Sequence, residues 1–411
     1  MANFDMAAAN ALLKELYFGQ QPVNTVYMDR PLLAMIPKME EAVGEYVPVP
    51  LRWADSQGRS STFTNAQGNQ TALKASKFLV TLNPDYSLGT ISNQTMLAMA
   101  TDKGSFVRGV TTVVDSAMNS AANSLSSALF RNGSGILSSP TNLTSGVLTL
   151  GDPNDVVQFG VGQTLLQVTT TTGAQVGGTS PGYVISRSVA NGTITLSTSQ
   201  GGAAANPTGW TNGAWSTYSV TVQGDQNAKI TGLQGWLPST DPTVGDNFFG
   251  IDRSPDPARL AGQRPQGTAS ESITEAIIDA AILTTREGGS PKHFICSFGS
   301  YSALEKELSQ RIQYVDVKVA DIMFRGIRIN GPKGEIQVFP DKDCPAKVGF
   351  LLQMDTLKLF SLGATPRIFT YMDSNEFLRV YNQDAAELRC GYYAQLAIDA
   401  PGFNAYVPLI A

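Results

Sequence analysis

A single histidine and three cysteines are spread over 411 residues, so the side chains most used for metal binding and nucleophilic catalysis are nearly missing. Any Ser-His-Asp triad would have to use His293, and the dispersed Cys296, Cys344 and Cys390 give no ligand pairs with zinc spacing. Odd in number and without a secretory signal before them, the cysteines read as reduced thiols of a chain made in a cytosol. The N-terminus, Met1-Ala-Asn-Phe-Asp-Met, has neither a basic n-region nor a long apolar core. No apolar run approaches the ~20 residues that span a bilayer, so no membrane partner is expected. Charge is scarce as well: Asp, Glu, Lys and Arg make up 15% of the chain, against about a quarter in an ordinary domain. A net charge of −5 argues against nucleic acid held by a basic surface.

Motifs that carry chemistry are absent too. There is no Gly-x-x-x-x-Gly-Lys-Ser/Thr phosphate loop, and Gly133-Ser134-Gly135 lacks the nucleophile-elbow pattern. Asp252, Asp256 and Arg259 fall in Asp-Arg-Ser-Pro-Asp-Pro-Ala-Arg, whose spacing is not that of an EF-hand loop. Pro255 and Pro257 there suggest a rigid turn with solvated carboxylates, and Asp152 and Asp155 take the same reading. His293 in Lys292-His-Phe-Ile-Cys-Ser, near Cys296, leaves Cys-His catalysis as an enzymatic alternative to plain strand packing. The expectation is no enzyme, no cofactor and no metal.

What is present is a chain of 43.8 kDa with 42% apolar residues, 39 glycines and 22 prolines, room for two or three domains rich in loops and strands. A short amphipathic helix is expected near residues 3 to 19, with Leu12, Leu13 and Leu16 on one side and Gly19 as its stop. Pro22, Pro31 and Pro37 then punctuate an extended connection through Val26, Tyr27, Leu32 and Leu33. Tyr46 to Trp53 and Leu73 to Val80 are apolar runs about a polar tip, the pattern of a long two-stranded hairpin. Such a hairpin is marginal alone in water, so it is expected to lie on another copy of the chain. Pro84 and Gly89 follow, then a helical stretch near Asn93 to Ala100.

From Lys103 to Arg131 the apolar residues Phe106, Val110, Val113, Ala117, Ala121, Leu125 and Leu129 recur in steps of three and four, one stripe of a helix roughly 40 Å long. Asn132-Gly133 carries a left-handed cap signal. Between Leu143 and Gly224, short β runs alternate with Gly, Thr, Ser and Asn turns, predicting a small β-sandwich or barrel inserted in the chain. The runs are Val147–Leu150, Val156–Phe159, Leu165–Val168, Tyr183–Ser186, Thr193–Ser197 and Tyr218–Val222. Arg187 is the only charged residue from Val156 to Gly224, which disfavours nucleic-acid binding there. Trp210, Trp215 and Tyr218 read as core or intersubunit packing, with stacking on sugar rings as the alternative. Beyond Ile230, a capped helix (Ser272-x-x-Glu275), a strand at His293, a helix at Tyr301 and a strand-dominated end give an α+β order.

With the hairpin arm (Tyr46 to Val80) and the helix ending in Ala128-Leu-Phe-Arg-Asn-Gly-Ser-Gly135 in view, the chain resembles tailed-bacteriophage major capsid proteins of the Hong Kong 97-type fold. Gly232-Leu-Gln-Gly-Trp236 and the run from Val348 to Phe360 carry the rest of the likeness. The resemblance implies an N-terminal arm (1–45), an extended loop (46–80), a peripheral domain with its spine helix (81–142), the β-rich insertion (143–224) and a connecting loop (225–267). An axial domain (268–370) and a return to the peripheral domain (371–411) complete it. It also implies pentamers and hexamers of the chain closing an icosahedral phage head around double-stranded DNA, without sequence-specific binding. A separate scaffolding protein, a portal protein at one vertex and a decoration or cement protein are the further partners it implies. The chain would be made in the host bacterial cytoplasm and end in the virion. A β-rich adhesin or glycan-binding virion surface protein is the alternative. Arg52, Trp53, Asp55, Arg59 and Phe63 are the expected intersubunit residues of the arm. Pro84, Gly89, Gly133 and Gly135 are the expected hinges, and Lys74 and Lys77 are read as surface lysines.

Overall fold

A computed structural model describes residues 30–40, 42, 44–93, 103–265, 272–308, 314–319, 322–370, 375–381 and 384–409. For 103–112, 314–319 and 322–326 it describes the backbone alone. The helix expected near residues 3 to 19, the stretch after Asn93, and the side chains of Phe106 and Val110 lie outside the described residues.

Two six-stranded sheets form the body. The first is built around Ala385–Ile398, a 14-residue strand. Asn83–Ser92 pairs with it on one side. Leu357–Ser361, Arg367–Ile368 and Phe377–Arg379 share its other side in turn. Lys38–Met39 joins the far edge, parallel to Leu357–Ser361. The spine helix, Lys103–Phe130, packs on this sheet, with Val114 and Ala117 against Ile91, Leu388 and Cys390. Its stripe runs as expected: Ala117, Ala121, Leu125 and Leu129 are buried and Val113 is half-buried.

The second sheet runs Tyr314–Val319, Ile322–Gly331, Gly334–Pro340, His293–Cys296, Val348–Leu352, Ala405–Pro408. Helix Ile273–Arg286 covers it, burying Ile273, Ile277, Ala280 and Ala281. Ser272 Oγ accepts from the Glu275 N–H while the Glu275 carboxylate accepts from the Ser272 N–H, the expected capping box.

The insertion is one eight-stranded antiparallel sheet with its own core, including Leu143, Leu148, Ile194, Leu196, Trp210 and Trp215. It opens at Ile136–Ser138, ahead of the boundary at Leu143, because that strand pairs with Tyr218–Val222. The expected strand Val156–Phe159 is instead part of a 3-10 helix, Pro153–Gln158. Asp152 caps it by accepting from the Asn154 N–H, and Pro153 presets its first turn.

Three further expectations are corrected. Leu32 and Leu33 sit fully buried in a short helix, Pro31–Met35, that Pro31 starts rather than interrupts. Sheet membership also redraws the last two domains. Leu357–Ser361 and Arg367–Ile368, placed in the axial domain by sequence, belong to the sheet under the spine helix. Ala405–Pro408, placed with the return to the peripheral domain, pairs instead with Val348–Leu352 in the second sheet. Finally, Pro84 and Gly89 lie inside the ten-residue strand Asn83–Ser92, which is paired along its length rather than forming a free joint. Proline is tolerated there because the strand pairs on one side only. Gly89 serves close approach to the spine helix: an added Cβ would lie 2.8 Å from Val113 Cγ1.

Candidate assembly surface

The arm pairs Tyr46–Ala54 with Lys74–Thr81 in antiparallel register, Tyr46 opposite Thr81 and Arg52 opposite Ala75. Its root rests on the chain's own core, a correction to the expectation that a second copy would carry it. Val49, Phe78 and Val80 are buried in the main core. Phe78 meets Trp236 edge-on at 5.0 Å, and Trp236 donates from Nε1 to the Leu396 carbonyl at 3.0 Å. The Leu79 N–H donates to the Phe249 carbonyl at 2.9 Å. Arg259 Nη1 donates to the Trp53 carbonyl at 2.8 Å while its Nε binds Glu287 at 3.1 Å. The residue read as part of a solvated turn therefore clamps the arm; nothing in its sequence neighbourhood marks that role.

Beyond Ala54 the arm has no such support. Arg52 pairs with Asp55 at 3.1 Å, both about two-thirds exposed. Trp53 is half-buried, donating from Nε1 to Ser76 Oγ at 3.3 Å with the Lys74 ammonium 5.0 Å over its ring. Arg59 is exposed, and Phe63 is 82% exposed at the start of a six-residue helix, Phe63–Gly68, that buries none of its residues. Of the five residues expected on the assembly surface, Trp53 packs against the main core and the others face solvent.

At the helix end, Gly133 and Gly135 both take positive φ, as the left-handed turn requires. They sit in the neck of the insertion, where the Asn227 N–H donates to the Ser134 carbonyl at 3.0 Å and Thr221 Oγ1 donates to the Gly135 carbonyl at 2.7 Å. An added Cβ on Gly135 would lie 2.3 Å from the Asp225 carbonyl oxygen, so the neck is packed as well as bent.

Two clusters of charge that sequence reading missed tie the body together. Asp85 accepts from Ser124 Oγ, Lys229 Nζ and the Tyr392 hydroxyl at 2.5, 2.7 and 2.8 Å, joining sheet, spine helix and neck. Asp341, fully buried, accepts from the N–H groups of Leu32 and Asp343 at 3.4 and 2.9 Å. Burial and the neighbouring Asp343 push its carboxyl up to about 7. Arg30 and Lys342 both donate to Asn123 Oδ1 of the spine helix nearby.

The catalytic alternatives find no support. His293 is stacked on Phe339 and its pKa is lowered by burial; Cys296 is buried and its thiol is pushed up to about 12. A thiol so far above neutrality is inert. Among the described residues, no group of three or more His, Cys, Asp or Glu side chains is placed to hold a metal ion. Asp252 accepts from the Ser254 N–H and Asp256 from the Arg259 N–H, so both serve local turns. Trp210 and Trp215 are each 6% exposed and donate to the carbonyls of Ser180 and Thr211, leaving no ring face open to a sugar.

No family model matches this chain, and no curated protein does. Solved structures do match. The fold is that of phage capsid proteins, mixed α+β of the Hong Kong 97 type, with spine helix and extended arm. The structure that carries this is the cyanophage A-1(L) capsid asymmetric unit, 15% identical, with 92% of each chain covered and a TM-score of 0.53. The capsid of a native GTA particle (9% identical, TM-score 0.45) covers 95% of this chain and 93% of its own. The holo-SrpI encapsulin complex from Synechococcus elongatus (9% identical, TM-score 0.42) covers 99% and 96%.

Proposed function

We propose that this chain is a major capsid protein that assembles as pentamers and hexamers into an icosahedral phage head enclosing double-stranded DNA. The observation that carries the reading is an arm anchored at its root and unsupported at its tip, on a fold shared along 92% of the chain with a phage capsid subunit. A tip with no buried residue gains stability only against a partner, and many modest contacts made at once hold a subunit firmly. A separate scaffolding protein, a portal at one vertex and a decoration protein belong to the same proposal. So does packaging without sequence-specific contacts, which suits a net charge of −5.

Deleting the arm tip, residues 56–69, tests it. The expected result is a folded, soluble subunit that closes no shells by electron microscopy, beside full-length protein that does so when scaffold is supplied. Full-length protein that stays monomeric at high concentration would defeat the proposal. Normal shells from the deleted form would remove the arm from it.

A further inference from the structure

We propose that the cleft between the spine helix and the insertion is a binding site for a small oxyanion, a carboxylate or phosphate group, gripped side-on by Arg131. The inference stands apart from the shell-forming reading, and its failure would leave that reading untouched.

The cleft holds about 920 Å³, within the range of ligand pockets. One wall is the polar side of the spine helix, where Ser120, Asn123 and Ser127 follow at steps of three and four and so share a face. The other wall is the insertion around Val157 and Val161, which are 46% and 66% exposed. Gln158 Nε2 donates to the Lys342 carbonyl at 3.4 Å, and Lys342 Nζ donates to Asn123 Oδ1 at 3.2 Å. The two walls are therefore tied to each other through Lys342.

Arg131 lines this cleft just past the end of the spine helix. Its Nε and Nη2 are buried, and among the described residues nothing accepts a hydrogen bond from either. These two N–H groups share one edge of the guanidinium, the edge that grips two oxygens of a carboxylate or phosphate through parallel bonds. Buried donors are nearly always paired, so an open edge calls for an acceptor. Burial lowers the Arg131 pKa, with Asp155 and Asp343 opposing that shift by their charge alone. Burial in turn raises both of those carboxyls, which weakens them as counter-ions.

The remaining charges favour an anion. Lys229 is committed to Asp85 and Asp225, at 2.7 and 3.1 Å. Among the described lining residues that leaves Arg131, Arg187 and Lys342 against Asp343, a local positive surplus in a chain of net charge −5. Nε and Nη2 are covered, so the guanidinium turns toward the cleft as the oxyanion enters. The hydroxyls of Ser120 and Ser127 can donate to its other oxygens.

The test is a calorimetric titration of the full-length protein with inorganic phosphate and, separately, with acetate, at constant ionic strength with chloride as the blank. Saturable binding at one site is expected, and the tighter of the two anions names the ligand class. Arg131→Lys keeps the charge but loses the fork and should weaken binding about tenfold or more. Arg187→Gln and Lys342→Gln, which remove lining cations, should each weaken it a few-fold. No saturable binding by folded wild-type protein would overturn the inference, and so would unchanged affinity in Arg131→Lys. Where Arg131→Lys does not fold, unchanged affinity in both of the other variants would overturn it as well.

Discussion

The arm and the insertion are both antiparallel β structure with polar turns, and they are completed in opposite ways. Eight strands in the insertion are enough to enclose a core: Leu143, Leu165, Ile194 and Val220 are fully buried among their own neighbours. Two strands in the arm are not. Phe78 is buried with Trp236 and Phe248, from a segment more than 150 residues later, against its ring, and Val49 lies in the same core cluster. Beyond the reach of that segment, Phe63 has no cover. A hairpin either grows until it has two faces to close or stays dependent on another surface, and the difference is strand number, not residue type.

The largest effects should separate the two regions. Phe78→Ala and Trp210→Ala each remove a buried ring and should cost about 3–5 kcal/mol in denaturant titrations. By hydrogen exchange, Phe78→Ala should loosen the arm root together with the main core around Trp236. Trp210→Ala should loosen residues 136–222 alone. Equal loosening of residues 46–81 by Trp210→Ala would break the comparison.

A smaller effect should come from pH. Asp341 holds its proton in the folded chain up to about pH 7, whereas an unfolded aspartate releases it near 4. The folded state therefore binds more protons between these values, so stability is greatest at the acid end and falls as pH rises toward 7. The total is roughly 4 kcal/mol at 1.36 kcal/mol per pKa unit. Asp341→Asn should flatten melting temperature against pH over that range. An unchanged slope would place the titrating group elsewhere.

The smallest effect should be at the arm tip. Arg52→Ala or Asp55→Ala breaks an ion pair about two-thirds exposed and should change subunit stability by less than about 1 kcal/mol. A larger loss would mean that the tip is held to its own body after all.

Much of the local structure was legible because it is written in short-range patterns. Val147–Leu150, Thr193–Ser197 and Tyr218–Val222 are strands with the bounds their alternation and flanking turns suggest. The capping box at Ser272 and the small-residue stripe of the spine helix were equally readable. Val156–Phe159 was not, since the apolar residues of one 3-10 turn look like a short buried strand and only the Asp152 cap tells them apart. Asn83–Ser92 was hidden by Pro84 and Gly89, which punctuate a sequence but fit a strand paired on one side and pressed against a helix. At the candidate site, the exposed tip was legible as a polar loop between apolar runs. The Arg259 clamp was not, because it joins residues far apart in the chain.

By itself the sequence determined most of the helices and strands, the approximate place of the insertion and that an arm projects. Periodicity and turn chemistry act within a few residues and leave a local trace. Only the tertiary structure decided that Ala405–Pro408 crosses to the second sheet, that the arm root rests on Trp236 and that Phe63 is left uncovered. Those outcomes depend on which distant apolar faces meet, and a residue's own neighbourhood does not record its partner's.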